Sequence, residues 1–502
     1  MSTTKLNQLS PLTLRAKVTD GKTTWDHDAL CAAISDWLSI LDHHGASIVA
    51  FQLPNGLEWI ALNLALLESN RVAVPLPHFF TKNQTAGIIK DCGADTVIYQ
   101  SEVAANIESS RGCSITATQE TSQVPLPEGT GIVTYTSGTT GSPKGVCLSW
   151  DTLLMTASAI QSELAEEELA KHLCLLPLSL LLENVAGLFA NLLNGGQIIC
   201  LDGEQVGISG SSTIDIPQLM ASLAKYQPNS IILVPALLVA ITAAVEMGLS
   251  PGKNLKFAAV GGATVPASLI KKARALGIPC YEGYGLTECG SVVSLNTPKN
   301  DEPGSAGHLL PHIRARIVDR ELIIEHPVLL GYTGEKDIQD RPSYSTGDLI
   351  DLGIDDHLKI LGRRKNAFIT AFGRNVSPEW IESELTAQLA IGHALVFGEA
   401  ETQNVALIVS REGFTPGAID QAIERSNKNL PDYAQVSAWQ RLSIEQVIGV
   451  EGITQNGRLR RQILEVAFQS EIEALHAKRS NGLPLLNGRP PSHQLNDYGT
   501  SI

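Results

Sequence analysis

The sequence predicts an α/β protein. It has a large N-terminal region of mainly parallel βα sheets with a small β-rich subdomain, and a smaller α+β unit follows. Three observations carry this. Short β-branched runs alternate with helical patterns through the first two-thirds of the 502 residues, which is the rhythm of βα units. Near Leu310 the rhythm gives way to closely spaced strands, Arg314-Ala-Arg-Ile-Val-Asp319 and Glu321-Leu-Ile-Ile-Glu325. After Arg363-Arg-Lys-Asn366 a new helix-and-strand pattern begins. The chain is too long for one ordinary domain, and we expect boundaries at 1–364, 365–479 and 480–502.

In chain order, residues 47–53 read as a strand and 58–67 as a helix that is apolar on most faces and therefore buried. Strands follow at 71–75 and 95–99, then at 197–201, 230–234 and 257–260. Residues 231–245 are the best candidate for a membrane span, yet they are too short for one of about 20 residues. With Pro235 near its start, it reads as the end of a strand followed by an apolar helix. Residues 378–388 form a helix with proline in its first turn, and 394–397 and 405–409 are strands. Residues 480–502, rich in Gly, Pro, Asn and Ser, read as a mobile tail. Parallel sheets place ligand loops at the carboxyl ends of their strands.

The net charge of −15 repels nucleic acid and anionic membrane over most of the surface, which argues against a polyanion-binding role. Eight cysteines without a CxxC pair or a compact His/Cys cluster read as reduced, mostly buried thiols rather than a zinc site. Met1-Ser-Thr-Thr-Lys-Leu-Asn7 lacks the apolar core of a signal peptide. The expectation is a cytoplasmic protein with no stable membrane anchor.

The most informative segment is Tyr135-Thr-Ser-Gly-Thr-Thr-Gly-Ser-Pro-Lys-Gly-Val146, which follows the strand-like residues 131–134. Its glycines let backbone amides converge on one point. Ser137, Thr139, Thr140 and Ser142 add hydroxyls, and Lys144 adds a positive charge. This set suits a polyphosphate. It is not a Walker A loop, because Gly145 rather than Ser or Thr follows Lys144. A flexible linker is the plain alternative, and the flanking strand and the embedded Pro-Lys-Gly argue against it.

This segment resembles the phosphate-binding signature of the AMP-binding, adenylate-forming superfamily, and the chain resembles fatty acyl-CoA synthetases in particular. Leu53-Pro-Asn-Gly-Leu-Glu-Trp59 and Val72-Ala-Val-Pro-Leu76 resemble its N-terminal landmarks. The resemblance implies that Thr136, Ser137, Gly138, Thr139, Thr140, Gly141 and Lys144 hold the phosphates of ATP. Tyr281-Glu-Gly-Tyr-Gly-Leu-Thr-Glu288 resembles the adenine and metal motif. There Tyr284, with Gly285 beside it, packs on the adenine, Thr287 meets the α-phosphate and Glu288 holds Mg²⁺. Tyr344-Ser-Thr-Gly-Asp348 resembles the ribose motif, with Asp348 accepting from the ribose hydroxyls. Gly362-Arg363 resembles the next motif, with Arg363 reaching ribose or phosphate. Gly261-Gly-Ala263 resembles the loop at the acyl and adenine pocket; a plain strand-to-helix turn is the equal alternative.

Leu175-Leu-Pro-Leu-Ser-Leu-Leu-Leu-Glu-Asn184 aligns with the family segment beside the carboxylate substrate. Its leucines favour a medium- or long-chain aliphatic acid, or else they only pack the core. Glu183 resembles a glutamate of fatty acyl-CoA synthetases. The resemblance also implies a hinge at Lys365 and Asn366, and a strand in which Gly373 lets the thiol arm of coenzyme A pass.

One position departs from the family. Where relatives carry a lysine that bridges acid and α-phosphate, this chain has Arg458, and no lysine lies between Lys428 and Lys478. A planar guanidinium needs more room than an ammonium, yet it keeps the charge and can clamp an anion. Three expectations follow. The chain is an acid–thiol ligase using ATP, Mg²⁺ and coenzyme A, with Thr287, Glu288, Lys144 and Arg458 stabilising charge at the α-phosphate. Or it passes the acyl group to an acyl-carrier-protein thiol or an amine. Or it binds nucleotide and acyl group with catalysis impaired through Arg458.

Overall fold

The computed structural model describes residues 15–78, 80–100, 109–118, 125–136, 144–210, 213–335, 342–454 and 457–480. It divides into two compact units. The larger comprises the residues up to Asn366 together with Ile453–Arg458; the smaller comprises Ala367–Gly452 and the residues from Leu459 onward. The expected tail beyond residue 480 lies outside the described residues.

The larger unit holds two big sheets and a small one. In the first, Cys280–Tyr284, Phe257–Val260, Ser230–Leu233, Lys171–Leu173, Gln197–Ile199 and Lys17–Thr19 run parallel side by side. Antiparallel Ser294–Leu295 and His308–Leu309 extend one edge and Thr24–Trp25 the other. In the second, Ile132–Thr136, Val72–Pro75, Ile48–Gln52 and Thr96–Gln100 are parallel, and the strands outside them are antiparallel. The sheets are thus mixed, with parallel centres. The third, Arg314–Val318, Glu321–His326, Tyr344–Leu352 and Leu358–Arg363, is antiparallel throughout.

Periodicity explains the helices. Leu57–Ser69 is apolar all round and lies in the main core, with Trp59 through Leu67 buried. Pro235–Glu246 starts on a proline at its first turn, directly after the strand Ser230–Leu233. No described helix is long and apolar enough to cross a membrane.

In the smaller unit, Ile391–Phe397 pairs antiparallel with Asn404–Ser410, which runs parallel to Val436–Leu442. Helices Pro378–Thr386 and Pro416–Asn427 bury Ile381, Leu385, Ile419 and Ile423 in its own core. The short hairpin of Phe368–Ile369 and Asn375–Val376 turns through Gly373, whose φ is +71°.

Candidate active site

The strand Cys280–Tyr284 leaves the first sheet at the carboxyl end of its parallel strands and enters the single turn Thr287–Cys289. Gly285 between them is obligatory, because a Cβ there would lie 1.7 Å from the Ser291 carbonyl oxygen. The Tyr284 hydroxyl donates to Asp348 Oδ2 at 2.6 Å. Asp348 sits opposite Arg363 in the antiparallel register of the third sheet, and Arg363 Nε meets Asp348 Oδ1 at 2.8 Å. Arg363 also donates to the Thr346 carbonyl at 3.0 Å. A sequence spacing has thereby become a cross-strand pair. Burial, then the Asp348 charge, pushes the Tyr284 phenol up, so it stays a donor. Both Asp348 oxygens are thus engaged, and the carboxylate itself is buried.

The second cluster is built around Glu288. Tyr332, on the strand Gly331–Tyr332, donates its hydroxyl to Glu288 Oε1 at 3.2 Å and lies 3.4 Å from the Tyr344 hydroxyl. That strand pairs with Lys144–Leu148, and Lys144 Nζ stands 5.3 Å from the centre of the Tyr332 ring. The Tyr344 phenol is pushed up by burial and then by Glu288. Thr136 ends the strand Ile132–Thr136 opposite Lys144. Ser137, Gly138, Thr139, Thr140 and Gly141 lie outside the described residues. Just before them, Tyr135 is tied to Thr333 through Asp91, whose Oδ2 accepts from both at 2.6 Å.

The third element is the turn Gly261–Gly262–Ala263. Gly262 has φ +84°, a left-handed conformation that glycine adopts without cost. Its carbonyl accepts from Arg458 Nη2 at 2.8 Å. The Arg458 side chain as a whole is exposed, but protein atoms crowd its guanidinium. Desolvation first, and Arg363 second, lower its affinity for the proton. Arg458 thus groups with the larger unit, while Gly373 sits in the smaller one.

The structure divides the leucines of 175–182. Leu175, Leu176, Leu178 and Leu181 are buried in the body of the unit, so packing accounts for them. Leu182 reaches the glycine turn: its Cδ2 is 3.8 Å from where a Cβ on Gly261 would sit, and Val234 Cγ1 is 3.7 Å from the same point on Gly262.

Sequence reasoning missed Tyr332, Asp91 and the buried partners of Glu183. The lone tyrosine and lone aspartate carried no local signal. The eight cysteines are free, and seven of them are buried. Folding does bring His172, Cys174 and Glu183 ligand atoms within 4.8 Å of one another, where the strand Lys171–Leu173 meets the helix that begins at Glu183.

A Gly/Ser/Thr-rich sequence between two paired strands, a tyrosine–aspartate–arginine set and a carboxylate on one α/β frame define a nucleotide-binding enzyme class. Within that class the chain belongs to the AMP-binding enzyme family, whose profile matches residues 17–335, with the family's C-terminal domain matching 366–480. It is 24% identical to the long-chain-fatty-acid–CoA ligase FadD15 of Mycobacterium bovis, over 89% of this chain and 90% of that one. It is 27% identical to the 2-succinylbenzoate–CoA ligase of Lactococcus lactis, over 71% and 79%. Its fold is that of the o-succinylbenzoate CoA synthetase of Bacillus subtilis solved with its acyl-adenylate intermediate, at TM-score 0.71 and 22% identity over 92% and 97% of the two chains.

Proposed function

We propose that this protein is an AMP-forming acid–thiol ligase. A carboxylate oxygen attacks the α-phosphorus of ATP, the bond to pyrophosphate breaks, and an acyl-AMP forms. The sulfur of coenzyme A then attacks the acyl carbon, AMP leaves, and the thiol proton passes to solvent. The observation that carries the reading is the set Tyr284–Asp348–Arg363, joined through Tyr344 and Tyr332 to Glu288 and Lys144.

In this reading Tyr284 and Gly285 receive the adenine, and Asp348 and Arg363 receive the ribose. Thr136 to Gly141 and Lys144 take the phosphates, and Thr287 takes the α-phosphate. Glu288 fits Mg²⁺, since it offers hard carboxylate oxygens beside the phosphate elements; the bound ion would neutralise phosphate charge. Arg458, set on the Gly262 carbonyl, stands where a cation can bridge acid and α-phosphate. Gly373 leaves room for the pantetheine arm. We infer a medium- or long-chain aliphatic acid, supported by Leu182 and Val234 at the glycine turn and by the long-chain ligase relative. The 2-succinylbenzoate relative makes aryl acids the necessary comparison.

The test is pyrophosphate release from ATP and Mg²⁺ with C6 to C18 and aryl acids, with and without coenzyme A. Acid-dependent release with an acyl-CoA product is expected. Product mass spectrometry that finds only a carrier-protein thioester or an amide would replace the acceptor. Nucleotide binding without release for any acid would overturn the reading. Arg458→Ala is expected to slow acyl-AMP formation about 100-fold while thioester formation from supplied acyl-AMP changes less than about threefold. Arg458→Lys is expected to keep most of the first step.

A further inference from the structure

The Glu183 carboxylate lies in the interior of the larger unit and is fully buried, as is His172 beside it. The mechanism above uses neither. A buried carboxylate persists only when its oxygens are satisfied, and here each has a distinct partner. Oε2 accepts the Leu176 amide at 3.1 Å. Oε1 lies 2.9 Å from His172 Nε2. The other ring nitrogen, Nδ1, lies 2.9 Å from Ser230 Oγ.

The connectivity gives this relay a purpose. Glu183 is bonded to the amide seven residues before it, so its side chain closes the segment 176–183 into a loop. Asn55 grips the same loop near its start: its amide donates to the Leu176 carbonyl at 2.9 Å and its oxygen accepts the Leu178 amide at 2.8 Å. Leu182, the last residue before the clamp, is the one that reaches Gly261. At the far end, Ser230 opens the strand Ser230–Leu233. That strand leads into Val234, which faces Gly262, and its Leu233 carbonyl accepts the Gly261 amide at 3.0 Å. The relay therefore spans the two walls beside the glycine turn, Leu182 on one side and Val234 on the other.

We propose that Glu183, His172, Ser230 and Asn55 are positioning residues that fix the distance between these walls and so set which acids fit. The proposal rests on the acid-ligase reading above. Glu183 and His172 act through Leu182 and touch no reacting atom.

A metal centre is the competing use of the cluster with Cys174. It is disfavoured because the carboxylate and imidazole atoms already have protein partners. The Cys174 thiol is also held well above its ordinary value by its hydrogen bond with Cys200, by burial and by Glu183.

The experiment compares Glu183→Leu, Glu183→Gln and Asn55→Ala in the full chain. We expect Glu183→Leu to raise KM for the best acid about tenfold and to flatten the ratio of kcat/KM between longest and shortest accepted acids about fivefold, with KM for ATP unchanged within about twofold. Glu183→Gln keeps an acceptor for Leu176 and is expected to restore parent selectivity. Asn55→Ala shifts selectivity in the same direction and stays readable if Glu183→Leu does not fold. Deuterium exchange of residues 175–182 follows the clamp without turnover, and faster exchange in Asn55→Ala is expected. A parent inactive with every acid sinks the ligase reading, while exchange still reports whether the clamp exists. An active parent whose acid ratios are unmoved in both Glu183→Leu and Asn55→Ala overturns the inference. So does one equivalent of zinc in the purified protein that Cys174→Ser removes.

Discussion

The cluster around Asp348 and the cluster around Glu183, both in the larger unit, satisfy their polar groups in different ways. Around Asp348 the set reaches the surface and is open in that sense: the carboxylate is buried, but its partner Arg363 is half exposed. Around Glu183 the set is closed, and every polar atom of the carboxylate is matched inside the protein. An open set does work on a ligand and contributes little to holding the fold. A closed set holds a wall in place, and its effect on chemistry is indirect. Substitutions in the two regions therefore separate along different observables.

The largest effect belongs to the open set. Asp348→Ala leaves the Tyr284 hydroxyl and Arg363 without their shared acceptor, and kcat/KM for ATP should fall about 100-fold or more, read by pyrophosphate release. A fall below about fivefold would break the contrast, because Asp348 would then be one more structural carboxylate. Smaller is Tyr332→Phe, which removes the donor to Glu288. The Mg²⁺ concentration for half-maximal rate should shift by about three- to tenfold, measured by titrating the ion at saturating ATP. An unchanged Mg²⁺ profile would detach Tyr332 from the metal side.

The smallest effect sharpens the contrast from the interior. Glu282 is buried, with Oε1 accepting the Gly304 amide at 2.6 Å and Oε2 without a hydrogen bond. Burial pushes its carboxyl up from 4.5 to about 7. A carboxyl that holds its proton more tightly folded than unfolded favours the fold at low pH. That contribution is fully present below about pH 4.5 and is lost as pH rises through about 7. Glu282→Gln should therefore raise Tm at pH 8 by about 2 °C and leave it nearly unchanged at pH 5. Equal gains at both pH values would point to packing rather than charge.

The two regions also differ in how far they could be read from the chain. The open set was legible because its members sit in contiguous motifs or fall opposite each other in a hairpin register, as Asp348 and Arg363 do. The alternation of strands and helices was equally plain, and the helix after Pro235 followed from one proline. The closed set was not legible. Asn55, His172, Glu183 and Ser230 are spread across 175 positions, and each looks unremarkable alone. The leucines of 175–182 read as one apolar stripe, yet burial assigns most of them to the core and leaves Leu182 to meet the glycine turn. Periodicity does not reveal that Glu183–Phe189 is wound as a π-helix, a form that often marks functional sites.

Gly187 lies within that π-helix. A Cβ on it would come within 2.1 Å of Glu183 Oε1 and 2.9 Å of His172 Nε2. If the proposed clamp sets the acid range, that fixes where a library can begin. A side chain at 187 would push the Glu183–His172 pair aside. Positions 182 and 234 project from the same framework toward the glycine turn, and they can be varied in size while the framework stays as it is.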